Sequence, residues 1–264
     1  MTRLDRLLVD RGLVSSRQRA KELIEEGLVV VNGKRSAKPS TQVSSDATIE
    51  VLGSVLPYPS RAGLKLAKAL KVFSIDVEGC IALDVGASTG GFTSCLLQAG
   101  AALVIAVDVG QDQLVEELRL DPRVLVYEKT NIRDLSVGQI PRPVDLATID
   151  VSFISLTKVF PAVKPLLASK GQVVALIKPQ FETDGDGLNK HGVIQDRRVH
   201  LTYLPPLIEQ LQGMGLGLMG FDYSPISGAK GNIEYLAHFV LGAQVRDSRD
   251  IVSRVIETAW GQLL

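Results

Sequence analysis

The stretch CIALDVGASTGGFTSCLLQAG, residues 80–100, decides the fold. Its first part is an apolar run that closes on Asp84. Its last part has helical spacing and stops at Gly100. Between them stand Gly86, Gly90 and Gly91, with nothing bulky before Phe92. A strand, a bare loop and a helix in that order let backbone approach a nucleotide-like ligand closely. Asp108 closes the next apolar run, ALVIAVDVG, where an acid can accept hydrogen bonds from ribose hydroxyls. The spacing G-x-x-x-G-G departs from the dinucleotide pattern G-x-G-x-x-G. The acid at Asp84 suits a cation better than a pyrophosphate. S-adenosylmethionine carries an adenosine, a charged amino-acid tail and a positive sulfonium, and no phosphate. It is the favoured ligand, with NAD(P) as the minor alternative.

Working outward, apolar runs alternate with helical stretches from residue 80 onward. RVLVYEKT, VDLATIDVS, QVVALIKP, GLGLMGFDYSPI and NIEYLAHFVLG read as further strands. Alternation of this kind predicts a doubly wound, mostly parallel α/β sheet of seven strands, with the site outside the carboxyl ends of the strands. Asp150 ends one strand and Lys178 another, while Glu234 begins the last. If the last strand runs antiparallel, all three meet at one edge. Lys65 joins them from the preceding helix. Two carboxylates flanking a lysine beside a cofactor is an arrangement that sets a pKa. Each of these residues taken singly reads equally well as a loop cap or surface pair. The tail DIVSRVIETAWGQLL predicts an amphipathic helix that packs Ile251, Val255 and Trp260. The long segment 181–200 reads as a functional or solvated loop whose Lys190, Arg197 and Arg198 can reach phosphates.

The N-terminal part has a different character. RLDRLLVDRG, residues 3–12, has helical spacing. Ser15 and Gln18 stand at capping-box spacing, and a second helix runs to about Glu26 before Gly27. Asn32-Gly33 after LVVV predicts a hairpin, and ATIEVLG a final strand. Residues 1–71 hold 13 Lys and Arg against 7 Asp and Glu, and the remainder holds 16 against 22, so a front end of +6 precedes a body of −6. Such a front end suits a polyanion. Aromatics are absent from 1–57, so phosphate contact and shape fit better than base stacking. GSVLPYPS, 53–60, reads as a linker.

Whole-chain properties exclude other classes. With 45% apolar residues the 264-residue chain can pack a core. Its apolar runs are short and its N-terminus is charged, which leaves no bilayer span or signal peptide. Cys80 and Cys95 lack metal-ligand spacing, the three histidines are scattered, and no metal site is expected. A reducing, cytoplasmic setting fits this cysteine usage.

Residues 3–34 resemble the S4 RNA-binding domain of a ribosomal protein and several RNA-modifying enzymes. DVGASTGGF, DVSFISL, IKPQFE and GNIEY together resemble the TlyA family of S4-linked ribose methyltransferases, related to the FtsJ/RrmJ-type fold. The resemblance implies 2′-O-methylation of cytidine in ribosomal RNA with S-adenosylmethionine as donor. It implies a Lys-Asp-Lys-Glu tetrad at Lys65, Asp150, Lys178 and Glu234. SRAGLKL departs from the SRGA order expected before Lys65. The expected organisation is an S4-like α+β domain at 1–56, a linker at 57–63 and a Rossmann-like methyltransferase domain at 64–264. The expected cofactor contacts are Asp84, Gly86, Ala87, Ser88, Thr89, Gly90, Gly91, Phe92, Asp108, Val109, Asn131 and Asp150. The expected RNA contacts are Arg3, Arg6, Arg17, Arg19, Lys21, Lys34, Arg35, Arg61 and Lys68, and the expected partners are ribosomal RNA and ribosomal subunits. Competing readings are an RNA base N-methyltransferase, a non-catalytic RNA-binding or assembly factor, and a haemolysin.

Overall fold

A computed structural model describes residues 1–14, 17–25, 27–35, 38–52 and 56–263, with backbone alone for Gln18, Arg19 and Glu22. The chain separates into two compact units, Met1–Arg61 and Ala62–Leu264.

In the first unit, β1 (Thr2–Arg3) leads into α1 (Leu4–Asp10) and α2 (Arg17–Glu25). Then come β2 (Val29–Val31), β3 (Lys34–Arg35), β4 (Gln42–Val43) and β5 (Ile49–Val51). β3, β2 and β5 form one antiparallel sheet, and β1 pairs with β4. Leu4, Leu7 and Leu8 pack on Ala20, Leu23 and Ile24 to form the core. α2 ends as expected at Gly27, whose φ of 69° lets the Gly27 and Leu28 amides reach back to Ile24 and Leu23. Asn32-Gly33, with φ of 49° and 77°, turns the hairpin between β2 and β3. The sequence reading started the first helix at Arg3. Thr2 and Arg3 are instead extended, because Val43 and Gln42 take up their backbone pairing. Ser15 and Glu26, the expected cap and helix end, and residues 53–55 of the expected linker lie outside the described residues, as do the side chains of Gln18 and Arg19.

The second unit opens with α3 (Ala62–Val72), β6 (Ile81–Val85), α4 (Gly91–Gln98) and β7 (Leu103–Val107). It continues with α5 (Glu116–Arg119), β8 (Val124–Tyr127), β9 (Val144–Ile149), α6 (Leu156–Val163) and β10 (Leu167–Ile177). It closes with α7 (Arg197–Gly213), β11 (Leu216–Tyr223), β12 (Tyr235–Leu241) and α8 (Arg249–Leu263). The seven strands lie in the order β11-β12-β10-β9-β6-β7-β8, the expected doubly wound sheet. β12 alone runs opposite to the other six strands. The apolar runs of β6, β7 and β9 are continuous because both sheet faces are covered. Strand order reverses beside β6: the chain runs out through β7 and β8, then returns to β9 on β6's other side. That switch point is where such sheets bind ligands.

α8 buries Val252, Ile256 and Ala259, each next in sequence to a residue of the expected stripe. Ile251 is exposed, while Val255 and Trp260 are partly buried against the core. The reading counted Ile251 inward because a short apolar pattern fits two adjacent helical faces. Cys95 is buried, and Cys80 only in part.

Candidate active site

The bare loop after β6 has its own reason for lacking side chains. Gly86 has φ +87°, and a Cβ there would lie 2.3 Å from the Asp150 carbonyl oxygen. Gly90 has φ +96°, and a Cβ there would lie 2.3 Å from Leu118 Cδ1. The space is taken by the neighbouring strand end and by a leucine. Only part of the loop borders a cavity.

That cavity has a volume of about 460 Å³ and opens at the carboxyl ends of β6, β7 and β9. Among the expected cofactor contacts, Gly86, Ser88, Asp108, Val109, Asn131 and Asp150 line it. Ala87, Thr89, Gly90, Gly91, Phe92 and Asp84 do not. Ala87, Thr89 and Phe92 are buried, and Gly91 opens α4 within the fold. Asp84 is wholly buried and accepts from Thr93 Oγ1 at 2.7 Å and Thr148 Oγ1 at 3.1 Å. Burial lifts its carboxyl to about 7, against these two bonds and helped by nearby Asp150. Being wholly buried and outside the cavity wall, it is held back from ligand contact and braces the loop from beneath.

Asp108 organises the rim. Its Oδ2 accepts from the Ser88 amide at 2.8 Å and its Oδ1 from the Gly110 amide at 2.6 Å. Ser88 Oγ donates to Gln113 Oε1 at 3.1 Å. Glu128, beyond β8, holds the segment carrying Gln113 by accepting from the amides of Asp112, Gln113 and Leu114 and from Arg119. Burial pushes Glu128 up, but these donors outweigh it and its pKa settles at about 2. The sequence reading missed Gln113, Ser152 and Phe153, all in the cavity wall. No pattern flagged Gln113. Ser152 and Phe153 were in view within DVSF, next to Asp150.

The four tetrad residues come together as two ion pairs. Ile177 of β10 faces Tyr235 of β12, so Lys178 and Glu234 are neighbours across that ladder. Asp150 follows β9, parallel to β10. Lys65, in the first turns of α3, reaches Glu234 Oε2 at 2.5 Å. Lys178 Nζ lies 2.6 Å from Asp150 Oδ1 and donates to Ser152 Oγ at 3.1 Å. The first contact is ionic by distance; the aligned hydrogen bond goes to the serine. All four charged side chains are at most 14% exposed. The reading placed one ammonium between two acids. Each acid has instead its own lysine, because α3 delivers Lys65 to Glu234.

Ser152 and Phe153 project from the segment after Asp150. Phe153 has φ 64° and is 88% exposed, with its ring 4.9 Å from that of Phe181. A large apolar ring held out in the left-handed region is strained and costly unless something lies on it.

The expected RNA contacts divide. Lys68 is withdrawn by its neighbours: it pairs with Asp222 at 3.1 Å, donates to the Tyr223 carbonyl at 2.6 Å and lies over the Tyr223 ring. Arg3 forks onto fully buried Asp5, which Arg17 also reaches at 3.2 Å. Both guanidiniums remain about half exposed. Arg6 is exposed near Asp10, Lys21, Lys34 and Arg35 are exposed, and Arg61 is half-buried. Arg11 is spent on the Ala47 and Ser45 carbonyls.

Residues 58–240 match the FtsJ-like methyltransferase family, and residues 2–49 match the S4 domain. The chain is 43% identical over 234 residues to the 16S/23S rRNA (cytidine-2′-O)-methyltransferase TlyA of Mycobacterium tuberculosis, covering 88% of this chain and 87% of that one. It is 42% identical to Hemolysin A of Brachyspira hyodysenteriae over 240 residues, 90% of this chain and all of that one. A solved structure from Streptococcus thermophilus, described as a presumptive hemolysin, superposes with TM-score 0.78 at 41% identity. It covers 98% of this chain and 96% of its own.

Proposed function

Because this chain belongs to the TlyA family, an S4 domain joined to an FtsJ-like methyltransferase, we propose that it methylates cytidine 2′-hydroxyls of ribosomal RNA within ribosomal subunits, in the cytoplasm. It is an S-adenosylmethionine-dependent rRNA 2′-O-methyltransferase. The observation that carries the residue roles is the pair of buried ion pairs, Lys65–Glu234 and Lys178–Asp150, with Asp150 also in the cavity wall.

The cavity suits the cofactor. Asp108 presents a carboxylate at its rim for ribose hydroxyls, Val109 and Ile132 offer apolar surface for an adenine, and the backbone at Gly86 and Ser88 has no bulky side chain in the way. When bound, S-adenosylmethionine supplies an electrophilic methyl on a sulfonium.

The chain's own residues orient the acceptor. Lys178, fixed by Asp150 and Ser152, holds the target 2′-hydroxyl in line and receives or directs its proton. The Lys65–Glu234 pair keeps the second acid away from Lys178 and fixes the wall of the acceptor site. Phe153, exposed at the cavity's edge, offers a face on which a base can stack. Alignment of two reactants alone can supply effective molarities of ~10⁵–10⁸ M, so the protein needs little further chemistry. We propose residues 1–56 as the RNA-gripping module and residues 64–264 as the transferase.

The test uses radiolabelled donor on separated subunits from cells lacking the protein, with mass spectrometry of digested RNA. A ribose methyl survives loss of the base, and a base methyl does not. Lys178→Ala is expected to lower the methyl-transfer rate by ~10²–10⁴-fold, with cofactor affinity kept within twofold. Near-normal turnover in that variant removes Lys178 from the mechanism.

A further inference from the structure

Two loops flank Glu234 on its way into β12, residues 184–196 and 224–232, and they are stitched together. Asn232, 3% exposed, donates from Nδ2 to the Gly192 carbonyl at 2.9 Å and accepts at Oδ1 from the Ile194 amide at 3.0 Å. Each loop is also closed on itself. Asn189 Oδ1 accepts from the His191 and Val193 amides, and Leu188 bridges Ile194. The Gly228 amide donates to the Asn232 carbonyl, and the Gly231 amide to that of Gly228. Gly228 is seated on the catalytic region: a Cβ there would lie 2.4 Å from Glu234 Oε1.

This doubly closed turn displays cations. Lys190, His191 and Lys230 are exposed, and Lys230 Nζ lies 3.5 Å from where a Gly192 Cβ would stand. Among the described residues neither Lys190 nor Lys230 has a carboxylate partner. Arg197 and Arg198, just beyond, pair with Glu257 and Asp196. Asp184 and Asp186 precede the turn, and Asp186 already accepts from Tyr203. Several cations of this unit, Arg197 and Arg198 among them, are paired within the fold, while these two have no carboxylate partner among the described residues and stand on a doubly closed turn whose Gly228 is seated against Glu234. Preorganisation lowers the entropy cost of gripping a charged strand.

We propose that Lys190 and Lys230 grip backbone phosphates of the RNA strand flanking the target nucleotide. This rests on the RNA methyl-transfer reading above. It adds a second RNA-gripping surface, on the catalytic unit itself and separate from the N-terminal one.

The test compares the full-length protein with Lys190→Ala/Lys230→Ala on transcribed ribosomal RNA free of ribosomal protein. Methyl transfer and RNA binding are measured separately over a salt series. In the double variant the salt slope of log K is expected to fall by about 1.4, roughly 0.7 per single-strand phosphate contact. KM for RNA rises ~10-fold at moderate salt, as loss of phosphate contacts predicts, while kcat at saturating RNA and cofactor affinity stay within twofold. Lys190→Arg/Lys230→Arg restores the slope. An unchanged slope overturns the proposal, as does a fall in kcat with KM intact. A KM defect seen on intact subunits but not on free RNA also overturns it, since the partner would then be protein. If wild-type protein binds RNA but transfers no methyl, the catalytic reading fails instead, and the binding slope still decides the role of these lysines.

Discussion

At the scale of single residues, Asp84 shows how burial weakens a charge that the sequence displays. It stands wholly buried beneath the loop, facing the hydroxyls of Thr93 and Thr148 and the Thr93 backbone rather than a cation. Its folded pKa, about 7, is raised above the unfolded value of about 3.9. The stability linked to this group is therefore fully present below about pH 4 and is lost as pH rises through about 7. Within that window the loss is on the order of 1.4 kcal/mol per pH unit. Asp84→Asn should remove this part of the descent, so that urea unfolding from pH 5 to 8 shows a shallower fall than in wild type. Equal slopes would mean that the carboxyl is ionised after all. Tertiary partners likewise separate two of the three lysines of α3. Lys65 and Lys68 look alike in the sequence, yet one meets Glu234 and the other Asp222 and Tyr223.

At the scale of elements, two loops carry the chemistry and are sewn together four times. Lys178 reaches Asp150 and Ser152, Phe181 meets Phe153, and Glu182 Oε1 accepts from the Leu156 amide at the start of α6. Burial raises Glu182 to about 7, and its Oε2 is buried with no partner. The carboxyl thus acts as an acceptor at a helix N-terminus rather than as a surface charge. Glu182→Gln retains an oxygen for Leu156 and should keep most activity. Glu182→Ala frees the segment holding Asp150, and kcat should fall ~10-fold or more, since small misplacements near the chemistry can cost up to ~10². Equal kcat values for the two variants would show that this stitch does not position the site. Helix and strand types were legible in these elements because their apolar runs are long or periodic. The stitching was not, because it depends on which loop tips face each other.

At the scale of the whole molecule, charge is divided along the chain, +6 in residues 1–71 and −6 after. The structure shows that this sum overstates the open cations. Arg3 and Arg17 are shared with Asp5, Arg11 closes a loop and Lys68 is paired. Exposed Lys34 and Arg35 on β3 are the better test of the N-terminal module. Lys34→Ala/Arg35→Ala should weaken RNA binding at every sequence tested and lower the salt slope by about 1 per contact. Cofactor affinity and the melting temperature should hold. A slope equal to wild type would move RNA recognition away from β3.

The sequence by itself determined the sheet and its seven strands, because apolar periodicity is a local property. It put Asp150, Lys178 and Glu234 at one edge only on condition that the last strand runs antiparallel, and the tetrad with Lys65 came from the family resemblance. It also determined the family, since DVGASTGGF, DVSFISL, IKPQFE and GNIEY all lie in one chain. Only the tertiary structure decided which acid pairs with which lysine, and that Gly90 makes room for Leu118 rather than for a ligand. It alone buried Asp84 out of the cavity's reach. Those outcomes depend on atoms brought together from distant parts of the chain, and no spacing along the backbone encodes a distance through space.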